Sequence, residues 1–391
     1  MGPGVREPWH AVGMRGISAV VVLLALAVAG CSSPTKPAAP AKPVDFVRHA
    51  DAVSPAAVDG GYTPPGSGIR HLVTVGQCAV GVGVFENGYR AVGANWTGDA
   101  DCTKFTLPAN RPAAGGDRLP SQGGWDGSGL AAKGAVALSD GSVIGVESSV
   151  QRLAPDGSVT TLADLHLPWH KPSDETGDSG QADSVVQSGD RLVIGGGEIV
   201  GGKVTGLMWT STDGGRTLVP VDLPQRDEYV GPMAASDNTI LAAATAGSNN
   251  GLVTWRSTDG GQSWQLHEIP GVSGTTFIVK MLRTDHGWLI VGSSASGGGP
   301  FLASSPDGVA WTKIDTTAMG SGTVYDATGG KDEDLVLVGS SGKCGVVWTT
   351  TADGSWQRGD LGCGGDVPNA VTTLADGRVL VVGSKDVWVR A

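Results

Sequence analysis

Three kinds of side chain in this 391-residue sequence could do chemistry: paired cysteines, a loop of histidines and carboxylates, and scattered tyrosines and glutamates. Cys78, Cys102, Cys344 and Cys363 lack the close Cys-x2-Cys pairs of a zinc finger, so disulfides suit them better than zinc. Of the three possible connectivities, Cys78–Cys102 and Cys344–Cys363 keep each bridge within one sequence repeat. His166 and His170 stand four apart and are followed by Asp174, Glu175, Asp178 and Asp183. That spacing would place two metal ligands on one helix face, but Pro168 and Pro172 oppose a helix. A solvated acidic loop is the better reading, and no metal or cofactor is expected. Trp125 and Trp169, on the two longest links, are candidates for stacking on a sugar or anchoring a protein partner. Glu147 and Glu198 fall at expected strand ends near a loop face. Glu228-Tyr229 and Tyr325-Asp326 are adjacent pairs, which a strand would point to opposite faces. Gly195-Gly196-Gly197 precedes no helix, and no serine sits on a strand–helix elbow, so phosphate-loop and α/β-hydrolase chemistry find no support.

The elements that must position these residues are short and β-rich. Glycine makes up 63 residues, about one in six, without a triplet period. An apolar share of 40% is too high for a disordered chain, and no stretch keeps a helical period. A net charge of −11 with interspersed signs argues against nucleic-acid binding. Four segments repeat: Met208-Trp-Thr-Ser-Thr-Asp-Gly-Gly-Arg-Thr-Leu218, Trp255-Arg-Ser-Thr-Asp-Gly-Gly-Gln-Ser-Trp264, Ala303-Ser-Ser-Pro-Asp-Gly-Val-Ala-Trp311 and Trp348-Thr-Thr-Thr-Ala-Asp-Gly-Ser-Trp356. Their aspartates, Asp213, Asp259, Asp307 and Asp353, are spaced by 46, 48 and 46 residues. Each box follows a run such as Leu335-Val-Leu-Val338. Asp-Gly makes a tight turn in which glycine takes a positive φ and the carboxylate accepts backbone N–H bonds. The Trp264, Trp311 or Trp356 that follows returns to cap the apolar space between sheets.

These segments resemble the Asp-box of BNR-repeat β-propellers, the sialidase-like scaffold. The resemblance implies an all-β propeller over residues 44–391, one four-stranded blade per repeat. Blades are expected over 70–112, 125–168, 182–224, 231–270, 275–315 and 322–362. A seventh, over 367–391, would borrow its missing strand from Val44–Val53 and so leave no open sheet edge. Seven blades fit best, with six or eight compatible with the count. The resemblance also places the boxes on the turn between third and fourth strands, opposite the usual ligand mouth. They are therefore read as structural. The ligand face would comprise Gly-rich second-to-third strand loops at Gly195–Gly206, Ala244–Gly251, Ser293–Pro300 and Ser340–Gly345, and the links Asn110–Gly129 and His166–Asp183.

The N-terminus reads as an address. Arg6 and Arg15 precede an apolar run, Ile17–Val28, too short to span a bilayer. Val28-Ala29-Gly30-Cys31 looks like the lipobox of bacterial lipoproteins, which implies removal of residues 1–30 and lipidation of Cys31. Ser32–Pro43 carries regular prolines and would form a stiff tether of up to roughly 37 Å. A monomer anchored by lipid to the outer face of a bacterial plasma membrane or cell envelope is the expectation.

Sialidases imply three arginines, an Arg-Ile-Pro segment and a tyrosine paired with glutamate. No Arg-Ile-Pro occurs, and Arg191, Arg226 and Arg283 do not declare a triad. The expected function is therefore non-enzymatic binding or assembly, with an envelope protein or a glycan as ligand. The alternative is a glycoside hydrolase of the sialidase-like class.

Overall fold

The computed structural model describes residues 45–54, 68–87, 90–107, 129–130, 132–168, 178–224, 227–245, 251–272, 276–294, 298–329, 334–351 and 354–391. Seven four-stranded antiparallel sheets form a ring, a seven-bladed β-propeller. Blade 1 comprises β2 (Gly68–Val75), β3 (Cys78–Asn87), β4 (Arg90–Gly98) and β5 (Phe105–Thr106). Blade 2 comprises β6 (Gly134–Ala137), β7 (Val143–Val146), β8 (Ser149–Leu153) and β9 (Val159–Asp164). Blade 3 comprises β10 (Ser179–Ser188), β11 (Arg191–Val200), β12 (Lys203–Ser211) and β13 (Val219–Pro220). Blade 4 comprises β14 (Val230–Ser236), β15 (Thr239–Ala244), β16 (Leu252–Ser257) and β17 (Gln265–Ile269). Blade 5 comprises β18 (Thr276–Thr284), β19 (Gly287–Ser294), β20 (Pro300–Ser305) and β21 (Thr312–Lys313). Blade 6 comprises β22 (Thr323–Gly329), β23 (Leu335–Ser341), β24 (Cys344–Thr350) and β25 (Trp356–Cys363). Blade 7 joins β26 (Pro368–Thr373), β27 (Val379–Gly383) and β28 (Val387–Arg390) to β1 (Val47–His49). The expected borrowed strand is thus present, with Val47 opposite Val389.

Burial follows position within a blade. Second strands lie between two sheets and read as unbroken apolar runs; Val143–Val146 and Val379–Gly383 are buried throughout. Fourth strands form the outer rim; in blades 3 and 5 they are short and exposed, Val219–Pro220 and Thr312–Lys313. Third strands carry the largest core side chains: Trp96, Trp255, Trp348 and Trp388 are fully buried, and Trp209 nearly so. These tryptophans fill the wedge that widens between blades away from the axis. Trp96 and Trp348 donate to the Ser54 and Met319 carbonyls at 2.9 and 2.8 Å. Of the box tryptophans, Trp264 is buried, while Trp311 and Trp356 are half-buried against the same cores.

Two disulfides have the connectivity favoured by the repeats. Cys78–Cys102 ties the start of β3 to the β4–β5 turn in blade 1, and Cys344–Cys363 links directly paired residues of β24 and β25 in blade 6. Both braced blades flank the closing blade 7.

The turns after first and third strands lie at one end of the ring. Asp213, Asp259 and Asp307 occupy third-to-fourth turns at this end; Asp353 falls outside the described residues. Asp259 Oδ1 accepts from the Gln262 and Ser263 N–H groups, both at 3.0 Å, and from Ser257 Oγ at 2.8 Å. Gly260 and Gly261 adopt φ of 69° and 88°, and a Cβ on Gly261 would stand 2.7 Å from Val193 Cγ2. This turn therefore needs glycine for both its backbone shape and its fit against blade 3. Neighbouring blades are clasped here by arginines. Arg191 donates to the Asp259 and Gly260 carbonyls, Arg256 to that of Asp307, and Arg378 to that of Asp101.

Candidate functional site

The opposite end of the ring is the mouth, where second-to-third turns meet the links between blades. First strands run from the mouth towards the Asp-turn end and line the axis. Six of them are bulged close to the mouth: β2 between Ile69 and His71, β10 between Ala182 and Ser184, β14 between Val230 and Met233, β18 between Ile278 and Lys280, β22 between Val324 and Asp326, and β26 between Pro368 and Ala370. A bulge adds one residue against the partner strand and re-aims its side chain.

The glycine-rich segment Gly195–Gly206 departs from expectation. It is not a loop: β11 and β12 run through it and only Gly201-Gly202 make the turn. Its glycines instead allow close approach. A Cβ on Gly196 would lie 2.1 Å from the Gln181 carbonyl oxygen, and one on Gly197 2.6 Å from Tyr229 Cδ1. Ser340–Gly345 likewise reduces to a Gly342-Lys343 turn between β23 and β24.

Three blades meet at an acidic cluster on this rim. Glu147 lies in the β7–β8 turn, and its carbonyl accepts from Ala182 N–H at 2.7 Å. Asp183 is the extra residue of the β10 bulge and accepts from Gln181 Nε2 at 2.8 Å. Gly134 makes room beside it, because a Cβ there would stand 2.6 Å from Ser184 Cα. Glu198 pairs with Gly180 across β10 and β11. Tyr229 enters from blade 4, its ring over Gly197.

Burial pushes the Asp183 carboxyl up to about 6, against the pull of Lys133 and Gln181 and with the help of Glu147. Burial also raises Glu147, again opposed by Lys133. Tyr229 is raised by burial and by the carboxylates of Asp183 and Glu198, with Ser179 opposing. One ammonium thus serves two carboxyl groups, Glu147 and Asp183, and burial outweighs its pull on both.

A second polar group joins the other blades along the axis. Lys280 pairs with Asp326 at 2.9 Å, and Asp326 also accepts from the N–H groups of Ala327 and Val371 at 2.9 and 3.0 Å. His71 is held at about 4 by burial, reinforced by Lys280, so it is neutral at pH 7.

Glu147 and Glu198 are therefore brought to one cluster. His166 follows the end of β9 and is exposed, with φ 52° and its N–H donating to Asp164 Oδ1 at 2.6 Å. Trp125, Trp169, His170 and Cys31 lie outside the described residues. Among the described residues, no group of three or more His, Cys, Asp or Glu side chains is arranged to hold a metal. Asp183 was legible in the acidic link and Tyr229 in the Glu228-Tyr229 pair, but their meeting was not; the sign available was that first strands carry a charged residue where a buried strand should be apolar, as Asp183, Lys280 and Asp326 do.

No protein-family profile and no curated protein matches the chain. Solved structures match its fold. A streptogramin B lyase superposes with a TM-score of 0.54 at 15% identity, over 88% of this chain and 97% of that one. YCF48 bound to D1 peptide superposes at 0.55 with 12% identity, over 91% and 99%. The GH74 enzyme of Niastella koreensis superposes at 0.55 with 12% identity, over 88% of this chain and 53% of that one. Enzymes and binding proteins share this propeller, so the fold alone does not choose between them.

Proposed function

We propose that this chain is a lipid-anchored propeller of the bacterial cell envelope, of the BNR/Asp-box class, that binds a ligand at its mouth without turning it over. The observation that carries the reading is the placement of buried carboxyl groups at the mouth: the Glu147 carbonyl accepts from Ala182 N–H beside Asp183, Glu198 stands in the same blade as Asp183, and Lys133 is the cation acting on Glu147 and Asp183. Such a cluster gains from a basic group on a partner, and partners of matching charge associate faster and more selectively. β1 runs antiparallel to β28, so the described chain enters the ring at the Asp-turn end.

Cross-linking in the native envelope, followed by affinity capture, tests the reading. A stoichiometric basic partner is expected with the wild-type chain and is expected to be lost when Glu147, Asp183 and Glu198 become Gln, Asn and Gln. Capture of polysaccharide alone would count against it. Cys31→Ser is expected to release the protein from membranes, and continued sedimentation with them after a high-salt wash would contradict lipidation.

One observation favours a second reading, glycoside hydrolysis. Asp183, raised to about 6, sits near a tyrosine flanked by carboxylates, a pairing able to share acid and nucleophile roles. Turnover of aryl glycosides that vanishes in Asp183→Asn would establish it.

A further inference from the structure

We infer that blades 5 and 6 supply an aromatic contact to the same ligand, and that this ligand is an extended protein segment combining basic and apolar side chains. The inference rests on the mouth being the binding face. Two aromatic side chains are exposed among the described residues, Phe277 at 51% and Tyr325 at 42%. Both belong to the mouth ends of first strands, in adjacent blades. Phe277 lies opposite Ser293 across β18 and β19, and Ser293 Oγ accepts from Val324 N–H at 3.1 Å. Tyr325 is the next residue and the extra one of the β22 bulge, so it is released from pairing with β23. The two rings therefore flank one seam between blades.

Tyr325 is also preset. Its hydroxyl bonds Ser340 Oγ at 2.7 Å, which fixes the ring without burying it and lowers the entropy lost when a ligand packs on it. Among the described residues the Asp-turn end has no exposed aromatic side chain; Val47, Val219 and Val309 are the large apolar side chains exposed there. Below the rings, Lys280 and Asp326 neutralise each other, so a ligand group at this seam needs no charge. The carboxylate cluster of blades 2–4 makes the opposite demand. A neutral glycan could stack on the rings but would leave the carboxylates uncompensated. A basic peptide with apolar side chains answers both walls.

The test uses the full chain and three fluorescent octapeptides: alternating Lys-Leu, alternating Lys-Gly and alternating Glu-Leu. The Lys-Leu peptide is expected to bind at least tenfold tighter than either other. Phe277→Ala and Tyr325→Ala are each expected to weaken it by tenfold or more, with Phe277→Leu largely restoring it. Weakening by Glu147→Gln and Glu198→Gln but not by the aromatic substitutions would overturn the aromatic contact and leave the acidic mouth standing. Absence of Lys-Leu binding, or binding indifferent to all these substitutions, would overturn both. Chitohexaose binding that depends on Phe277, without peptide binding, would overturn the peptide assignment.

Discussion

Carboxylates at the two ends of this propeller behave in opposite ways. At the Asp-turn end, N–H groups of the turn hold Asp213 and Asp307 below their ordinary range. Burial opposes this at Asp259, but bonds from Ser263, Ser257 and Gln262 outweigh it and hold the group at about 2. At the mouth, Asp183 and Glu147 are pushed up because burial outruns their partners. An aspartate supplied by its own turn stabilises the chain that made it. One left short of donors is available to something else. Residue type is the same; the local supply of N–H groups separates scaffold from site.

The sharpest way to test that contrast is to neutralise one end at a time. Replacing Glu147, Asp183 and Glu198 together by amides is expected to weaken binding of a basic ligand by about 100-fold, some 3 kcal/mol, without lowering thermal stability. Titration calorimetry and a melting curve report the two quantities, and a fall in both would erase the distinction. Asp259→Ala is expected to do the reverse, costing about 2 kcal/mol of stability while binding by the folded protein stays unchanged. Acidification sharpens it. The Asp259 contribution is present above its ordinary value near 4 and fades as pH falls towards 2.

Asp183 carries the opposite sign. Its folded value lies above its unfolded one, so the native state keeps a proton that the unfolded chain has already released. Stability contributed by this site therefore declines as pH rises from about 4 to about 6. Asp183→Asn is expected to melt a few degrees above wild type at pH 7.5 and together with it at pH 3.5. In the wild type, affinity for a basic ligand is expected to rise over pH 5–7 as the carboxylate ionises. The smallest effect is expected from Arg191→Ala, which removes a clasp on two carbonyls of the neighbouring turn. About 1 kcal/mol of stability should go, with affinity unmoved, as chemical denaturation would read it.

The scaffold was legible because its signals are local and periodic. Asp-Gly turns, flanking apolar runs and in-repeat cysteine pairs each declare themselves within a few tens of residues. The closing strand followed from a count that was one strand short. The mouth was legible only in part. Glu147 and Glu198 could be placed at strand ends; the register of β10 on β11 sets Glu198 in the blade of Asp183, but what brings Glu147 and Tyr229 to that blade is the angle between blades. Ring closure sets that angle, and no local spacing encodes it. The bulges leave no turn residue to mark them, so the outward turn of Tyr325 had no written sign. The triple glycine of β11 misled because glycine that yields space to a neighbour reads like glycine that bends a loop.

The pairing of β1 with β28 also dictates an order of events. The first strand of the ring finds its partner among the final residues of the domain, Val387–Arg390. Until those residues have left the ribosome, six blades stand as an open arc with a bare edge at each end. Such edges pair with whatever strand arrives, so delay at this stage invites misassembly. This longest-range strand pairing among the described residues is also the one that closes the ring. Emergence of β28, more than formation of any single blade, therefore sets the moment at which the ring can close.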